Sequence, residues 1–162
     1  MSTTPSRTAV ITLPAPDQIE VTRQFSAPRE LVFQAWTTPE LIRRWWHANR
    51  GEIVSIEVDL RVGGRWRYVM TAHGGFEVAF HGEYREVVPN ERLVSTDIYE
   101  GRPEAEAVTT VTFAEEPAGQ TTVTILTQHA SPDGRNQHLA SGMEYGLQDA
   151  LALMDEVLTT LR

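Results

Sequence analysis

The spacing of hydrophobic residues divides the chain into three kinds of segment, each typical of a different local structure. Residues 19–25 alternate apolar and polar side chains, with the period of two that a half-buried β-strand shows. Apolar residues then recur at spacings of three and four as far as residue 46, which predicts two short helices. Ser26 is predicted to cap the first helix, and Thr38, with Pro39 directly behind it, to cap the second.

Alternation returns over residues 53–129, where short Gly-Gly and Pro-Asn turns interrupt it. Connections this short require antiparallel neighbours, because a parallel pair needs a long crossover. The region is therefore predicted to form one antiparallel sheet. Its predicted strands are Ile53–Val62, Arg65–Ala72, Phe76–Val88, Leu93–Tyr99, Val108–Phe113 and Thr122–His129.

The end of the chain carries a helical stripe of apolar residues from Leu139 to Leu161. A helix of about 27 residues would be about 40 Å long, enough to cross a whole sheet and cover its apolar face. We therefore predict an α+β fold in which a curved antiparallel sheet wraps around a long C-terminal helix. Residues 1–8 are expected to be a flexible tail and residues 9–162 a single domain.

The predicted C-terminal helix carries residues with little or no side chain at every fourth position, namely Gly142, Gly146 and Ala150. Each glycine costs about 1 kcal/mol relative to alanine in a helix interior, so another interaction should offset it. Two interpretations are open. Small residues could let the helix pack closely against the sheet, or they could leave a space between helix and sheet.

Aromatic residues on the strands favour such a space. Trp66, Tyr68 and Met70 share one face of a strand, and Phe76, Phe80 and Tyr84 share one face of the next. Trp66 and Phe80 taken singly fit an ordinary core, but several inward hydroxyl groups need partners and so indicate a wet or ligand-filled interior. The residues predicted to line this cavity are Trp45, Trp46, Trp66, Tyr68, Met70, Phe80, Tyr84, Tyr99, Thr127, Gly142, Met143, Gly146, Leu147 and Ala150.

Composition and charge narrow the possible partners. The 162 residues include 14 basic and 22 acidic side chains, which give a net charge of −8 at pH 7. This balance argues against nucleic acid and against an anionic membrane surface, since both require clustered Lys and Arg. The absence of cysteine excludes disulfides, thiolate-bound zinc, iron–sulfur clusters and a cysteine nucleophile. No apolar run is long enough to cross a bilayer, and the expected location is the cytoplasm.

The sequence contains no strong catalytic or metal-binding motif. Neither a His-Glu-x-x-His pair nor a Gly-x-Ser-x-Gly elbow occurs. His81 and Glu83 share a strand face, but two ligands are too few for a metal, so neither a metal nor another cofactor is expected. Asp59 and Arg61 are predicted to form a local ion pair. If the cavity converts a substrate, the acid–base candidates are Glu83, Tyr84, His129 and Tyr145.

Five ordered segments together resemble one protein family. They are Ser26–Leu41, Arg44–Trp46, Asp59–Tyr68, Gly82–Val94 and Ser141–Met143. These segments resemble bacterial homologues of the activator of the ninety-kilodalton heat-shock chaperone ATPase, within the START-like (SRPBCC) superfamily. The resemblance extends over nearly the whole chain. It implies the helix-grip fold, also called START-like or Bet v-like, with an apolar cavity between the sheet and the C-terminal helix.

The resemblance leaves three functions open, since one fold supports many activities. The preferred hypothesis is that a monomer or homodimer binds a small hydrophobic or aromatic molecule in the cavity. The first alternative is a co-chaperone-like module that binds and stimulates a heat-shock chaperone ATPase. The second is a cyclase, aromatase or hydrolase acting in the cavity. Where many relatives have a Gly-Pro pair after the double tryptophan, this chain has His47–Arg50, which predicts a polar lip at the cavity mouth.

Overall fold

The computed structural model describes residues 8–161, so the predicted N-terminal tail lies, apart from Thr8, outside the described residues. Within them, eight strands form one antiparallel sheet. The strands are β1 (Val10–Thr12), β2 (Gln18–Phe25), β3 (Gly51–Val58), β4 (Arg65–Ala72), β5 (Glu77–Val88), β6 (Arg92–Tyr99), β7 (Ala107–Glu116) and β8 (Gln120–His129). Their order is β1-β2-β8-β7-β6-β5-β4-β3, so β1 and β3 form the edges.

The antiparallel sheet predicted from the alternation is confirmed, with strand ends that differ by a few residues. The β4–β5 hairpin turns at Gly74 and Gly75, whose φ angles of 105° and 87° are readily adopted by glycine. The register shifts between Ile53 and Ser55 on β3 and between Tyr84 and Glu86 on β5. Irregularities of this kind bend the strands that carry them, which favours a curved sheet.

Two short helices follow β2, as predicted: α1 (Arg29–Thr37) and α2 (Pro39–Ile42). Thr38 occupies the N-cap position of α2 as predicted, although its side chain makes no capping hydrogen bond. The prediction that Ser26 caps α1 is wrong. The residue before α1 is Pro28, which has extended backbone angles and makes no side-chain cap.

The C-terminal helix is confirmed, but it is shorter than predicted and follows a separate helix. The two are α3 (Pro132–Ala140) and α4 (Met143–Thr159). Gly142 lies between them with φ 82°, a left-handed conformation that ends a right-handed helix. The prediction of one continuous helix through Gly142 is therefore wrong, and α4, with 17 residues, is about 26 Å long. No helix within residues 8–161 is both long and apolar enough to cross a bilayer.

The apolar core is concentrated under the second half of α4. Leu151, Met154 and Leu158 are almost completely buried there, in the same cluster as residues of α1 and the sheet. In the first half of α4, Met143 and Leu147 contact the core but are only partly buried. The helix therefore meets the sheet differently at its two ends.

Candidate functional site

Helix α4 crosses one side of the sheet and is attached to both edges. The Gln148 side-chain amide accepts a hydrogen bond from the Ala9 N–H and donates one to the Ala9 carbonyl, each at 2.9 Å, just before β1. The next residue, Asp149, accepts a hydrogen bond of 2.7 Å from the guanidinium of Arg50, just before β3. Because β1 and β3 are the edge strands, these contacts show that the sheet is curved so that both of its edges approach the same helix. Its concave side therefore faces α4.

Five of the predicted cavity residues form one continuous aromatic row. The Trp46 ring packs edge-on against Tyr68 and Phe80, with centroid distances of 5.3 and 5.8 Å. Tyr68 also contacts Trp66 at 4.8 Å, and Phe80 contacts Tyr99 at 5.1 Å. The double-tryptophan segment and strands β4, β5 and β6 thus meet on the concave side.

Trp45 lies apart from this row, although it adjoins Trp46 in the sequence. Its indole Nε1 donates a 2.9 Å hydrogen bond to the Ala35 carbonyl, and its ring packs against Trp36 at 5.2 Å. Trp45 is buried in the core between the first two helices. It therefore holds in place the turn that presents Trp46.

Two adjacent rows of cross-strand neighbours occupy the middle of the concave face, and most of their residues are small or polar. One row contains Tyr84, Ser95, Thr109 and Thr127. The other contains Trp66, paired with Gly82, and Asp97, paired with Ala107. Ser95, Asp97, Thr109 and Thr127 all keep some accessible surface, although they lie on interior strands on the side that α4 covers. This incompletely buried stretch of the concave face is called the recess below.

Asp97 was absent from the predicted site, yet it places a carboxyl group in this recess. Burial raises the pKa of Asp97 to about 6, against the opposing effects of a hydrogen bond from Thr109 and of the nearby His81. The Thr109 Oγ1 to Asp97 Oδ2 distance is 3.4 Å. The signal that could have found Asp97 is its position two residues before Tyr99, since residues two apart in a strand share a face.

Two phenol groups share the interior with Asp97. Burial raises the pKa of Tyr84 to about 12. Burial, and secondarily the charges of Tyr84 and Asp97, raise the pKa of Tyr68 well above its ordinary value. Both hydroxyls therefore stay protonated at neutral pH and can donate or accept a hydrogen bond.

The predicted strip of small residues on the helix side separates into three environments. Gly142 is exposed at the break before α4, and a Cβ built on it would meet no atom within 4 Å. A Cβ on Gly146 would meet only Arg50 Nε, at 3.9 Å. Ala150 is buried in the core. Close packing of both glycines against the sheet is thus not observed, and neighbouring Met143 and Leu147 supply the apolar surface of this half of α4.

The last predicted lining residue, Met70, is buried at one rim of the sheet. It contributes to a pocket of about 320 Å³ that also involves Arg50, Ala72, His73, Phe76 and Val78. Arg50 belongs to the predicted polar lip, and it also contacts α4. The pocket therefore lies beside the point where β3 is attached to the helix.

The acid–base candidates are not brought together. Tyr84 lies in the interior, but Glu83, its neighbour in the strand, is exposed on the opposite face, and Tyr145 is 71% exposed. His129 Nε2 lies 3.1 Å from His138 Nδ1 on α3. The structure therefore shows no converging set of these four side chains.

Other charged residues form local ion pairs. The predicted Asp59–Arg61 pair is confirmed, with a Nε–Oδ2 distance of 2.9 Å. His81 interacts with Glu100 at 2.9 Å, and Glu100 also accepts two hydrogen bonds from Arg67. Within residues 8–161, no three His, Asp or Glu side chains are grouped so that they could hold a metal ion.

Similarity to solved structures extends over almost the whole chain. A Rhodobacter sphaeroides protein has 24% sequence identity and a TM-score of 0.87, covering 94% of this chain and 99% of its own. A Mycobacterium smegmatis protein has 24% identity and a TM-score of 0.84, covering 95% and 99%. A Chromobacterium violaceum protein has 29% identity and a TM-score of 0.72, covering 87% and 99%. These neighbours have the same helix-grip fold.

Sequence similarity identifies the family. No curated protein matches the chain significantly. The sequence profile described as "Activator of Hsp90 ATPase homolog 1-like protein" matches residues 26–159, which include the aromatic row, the polar rows and all of α4. The chain therefore belongs to the activator of Hsp90 ATPase homolog 1-like family.

Proposed function

We propose that the protein binds a small hydrophobic or aromatic molecule between the concave face of the sheet and helix α4. The observation that carries this proposal is the accessible surface kept by Ser95, Asp97, Thr109 and Thr127 on interior strands. Side chains at such positions are normally completely buried in a packed core. Here they are small or polar, and Met143 and Leu147 in the first half of α4 are only partly buried. A guest molecule can therefore occupy the space that protein side chains would otherwise fill.

The aromatic row supports a flat guest. The exposed parts of Tyr68, Phe80 and Trp46 adjoin the recess, and aromatic rings favour edge-to-face and offset contacts with other rings. Met143 and Leu147 add flexible and branched apolar surface from above. A bicyclic aromatic molecule would contact the aromatic row on one side and helix α4 on the other. A large polar molecule would bind less well, because it would lose its hydration without regaining hydrogen bonds.

The proposal is tested by filling the recess from the sheet. Thr127→Phe places a ring on the concave face, and Thr124→Phe places the same ring on the opposite face of β8. Thr127→Phe should weaken binding of the fluorescent probe N-phenyl-1-naphthylamine at least about tenfold, while Thr124→Phe should leave it unchanged.

Circular dichroism of both variants checks that they fold. Native mass spectrometry of freshly expressed wild-type protein then shows whether a guest is retained. Equal binding of the probe by wild type and both variants would contradict the proposal, as would a complete lack of probe binding by the wild type.

A second candidate function is a co-chaperone-like role, which the description of the family favours. In that case the outer surface would bind a heat-shock chaperone and stimulate its ATP hydrolysis. The test is a chaperone ATPase assay with and without the protein. No change in the rate would remove this candidate and leave the first proposal unaffected.

A further inference from the structure

We infer that the bound molecule is an aromatic compound with a hydroxyl group, which it directs at Asp97 and Trp66 on either side of Gly82. This inference rests on the proposed function and narrows its ligand class to phenols and naphthols. It predicts that the hydroxyl donates a hydrogen bond to the Asp97 carboxylate and accepts one from the Trp66 indole N–H.

The acceptor side of the argument is the position of Asp97. The register of β5 and β6 pairs His81 with Ile98 and Tyr84 with Ser95, and Asp97 and Gly82 lie between these pairs. Glycine has no side chain, so Gly82 places none beside the carboxylate. Its one hydrogen bond within residues 8–161 comes from Thr109 and is long, at 3.4 Å. A carboxylate has about four acceptor positions, and Asp97 is only partly buried as a residue. It can therefore accept further hydrogen bonds from a guest.

The donor side of the argument is the indole of Trp66. Trp66 is 8% exposed, and its Nε1 has no hydrogen-bond partner among the described residues. Trp66 is paired with Gly82 across β4 and β5, and a Cβ built on Gly82 would lie 2.7 Å from Nε1. The N–H group thus lies over the bare glycine that separates Trp66 from Asp97. A buried donor without a partner is costly, so an acceptor supplied by a guest would be favourable.

A hydroxyl fits this pair of groups better than the other common polar groups. It donates one hydrogen bond and accepts others, which matches one acceptor and one donor. A guest carboxylate would be repelled by Asp97, and an alkylammonium would leave the Trp66 N–H unsatisfied. A pure hydrocarbon would desolvate both groups without replacing their hydrogen bonds.

The experiment compares 1-naphthol with 1-methoxynaphthalene, which has a similar body but no hydroxyl donor. Binding to the full chain is measured by isothermal titration calorimetry at about pH 8, above the Asp97 pKa of about 6. Wild type should bind 1-naphthol about tenfold more tightly than 1-methoxynaphthalene. Asp97→Asn should reduce this ratio to about twofold, mainly by weakening 1-naphthol, and Trp66→Phe should also reduce it.

The control is Glu83→Gln, the same type of change on the exposed face of the neighbouring strand, which should leave both affinities unchanged. Equal affinity of wild type for the two compounds overturns the inference while the proposed function stands. A preference that persists in both Asp97→Asn and Trp66→Phe also overturns it, because the hydroxyl is then recognised elsewhere. If wild type binds neither these compounds nor N-phenyl-1-naphthylamine, the proposed function fails and the inference fails with it.

Discussion

The two halves of helix α4 cover the same sheet, but only the second half packs against a fully buried core. Under the second half, strand β7 presents Val111 and Phe113, which are buried together with Leu151 of the helix. Farther along the concave face, the same strand presents Thr109, which keeps accessible surface. One continuous helix covers both regions, so the strand residues below it decide whether the space is filled.

The largest expected effect comes from truncating the same residue type in each half. Leu151 is 1% exposed, so Leu151→Ala should lower the free energy of unfolding by about 2–5 kcal/mol through lost burial and a new cavity. Leu147 lies one turn earlier and is partly exposed, so Leu147→Ala should cost about 1 kcal/mol. Urea unfolding of both variants measures the difference. Equal losses would show that the two halves are packed alike.

The next effect concerns pH and the attachment of α3 to β8. Burial, and secondarily the charge of His129, lower the pKa of His138 to about 4 from an ordinary value of 6.5. Burial and Arg135 also lower the pKa of His129, whereas Asp17 raises it. Because the unfolded chain takes up a proton on His138 first, stability contributed by neutral His138 is present above pH 6.5. It is lost as the pH falls from 6.5 towards 4.

Urea midpoints across this pH range for wild type and His138→Gln measure that contribution. Asp97 acts in the opposite direction, since its pKa of about 6 lies above the ordinary 3.8 and its ionisation costs stability as the pH rises. The difference between the two proteins removes this shared term. A difference that does not change between pH 6.5 and pH 4 would contradict the assignment.

A smaller pair of effects, of opposite sign, distinguishes the two glycines near the start of α4. Gly142→Ala should destabilise the protein by about 1 kcal/mol, because φ of 82° is unfavourable for alanine even though the space is open. Gly146→Ala should stabilise it by up to about 1 kcal/mol, because alanine suits a helix interior and meets only Arg50. Thermal unfolding measures both. Stabilisation by Gly142→Ala would contradict the helix break.

The smallest effect on stability is expected from the attachment of α4 to β3. Arg50 and Asp149 are 44% and 51% exposed, so Asp149→Ala should cost at most about 1 kcal/mol. It should nevertheless speed the dissociation of N-phenyl-1-naphthylamine in stopped-flow measurements, because the helix above the recess is released at one edge. Asp59→Ala, which removes another exposed ion pair, is the control and should leave the rate unchanged. The same rate in all three proteins would show that this attachment does not limit release.

Most of the sheet and part of the site could be predicted from the sequence, because strands and turns leave local signals. Alternation at residues 65–72 places Trp66 and Tyr68 on one face whatever their neighbours are. The same parity places Asp97 beside Tyr99, although a charged residue in a strand is more often on the outer face. The helix-grip fold followed from the order of these elements and from the resemblance of five segments to one family.

Three features depended on tertiary structure. Trp45 and Trp46 are adjacent and equally apolar, and only the position of Ala35 and the sheet decides which ring enters the core. Gly142 lies on a helical stripe, which is compatible with a helix or a break, and the left-handed backbone angles of Gly142 in the folded chain show the break. Local alternation is enough to assign the faces of the strands, since side chains alternate over two residues. Only the folded chain decided which stretch of the concave face stays unfilled, since that depends on residues more than a hundred positions apart, such as Ala9 and Gln148.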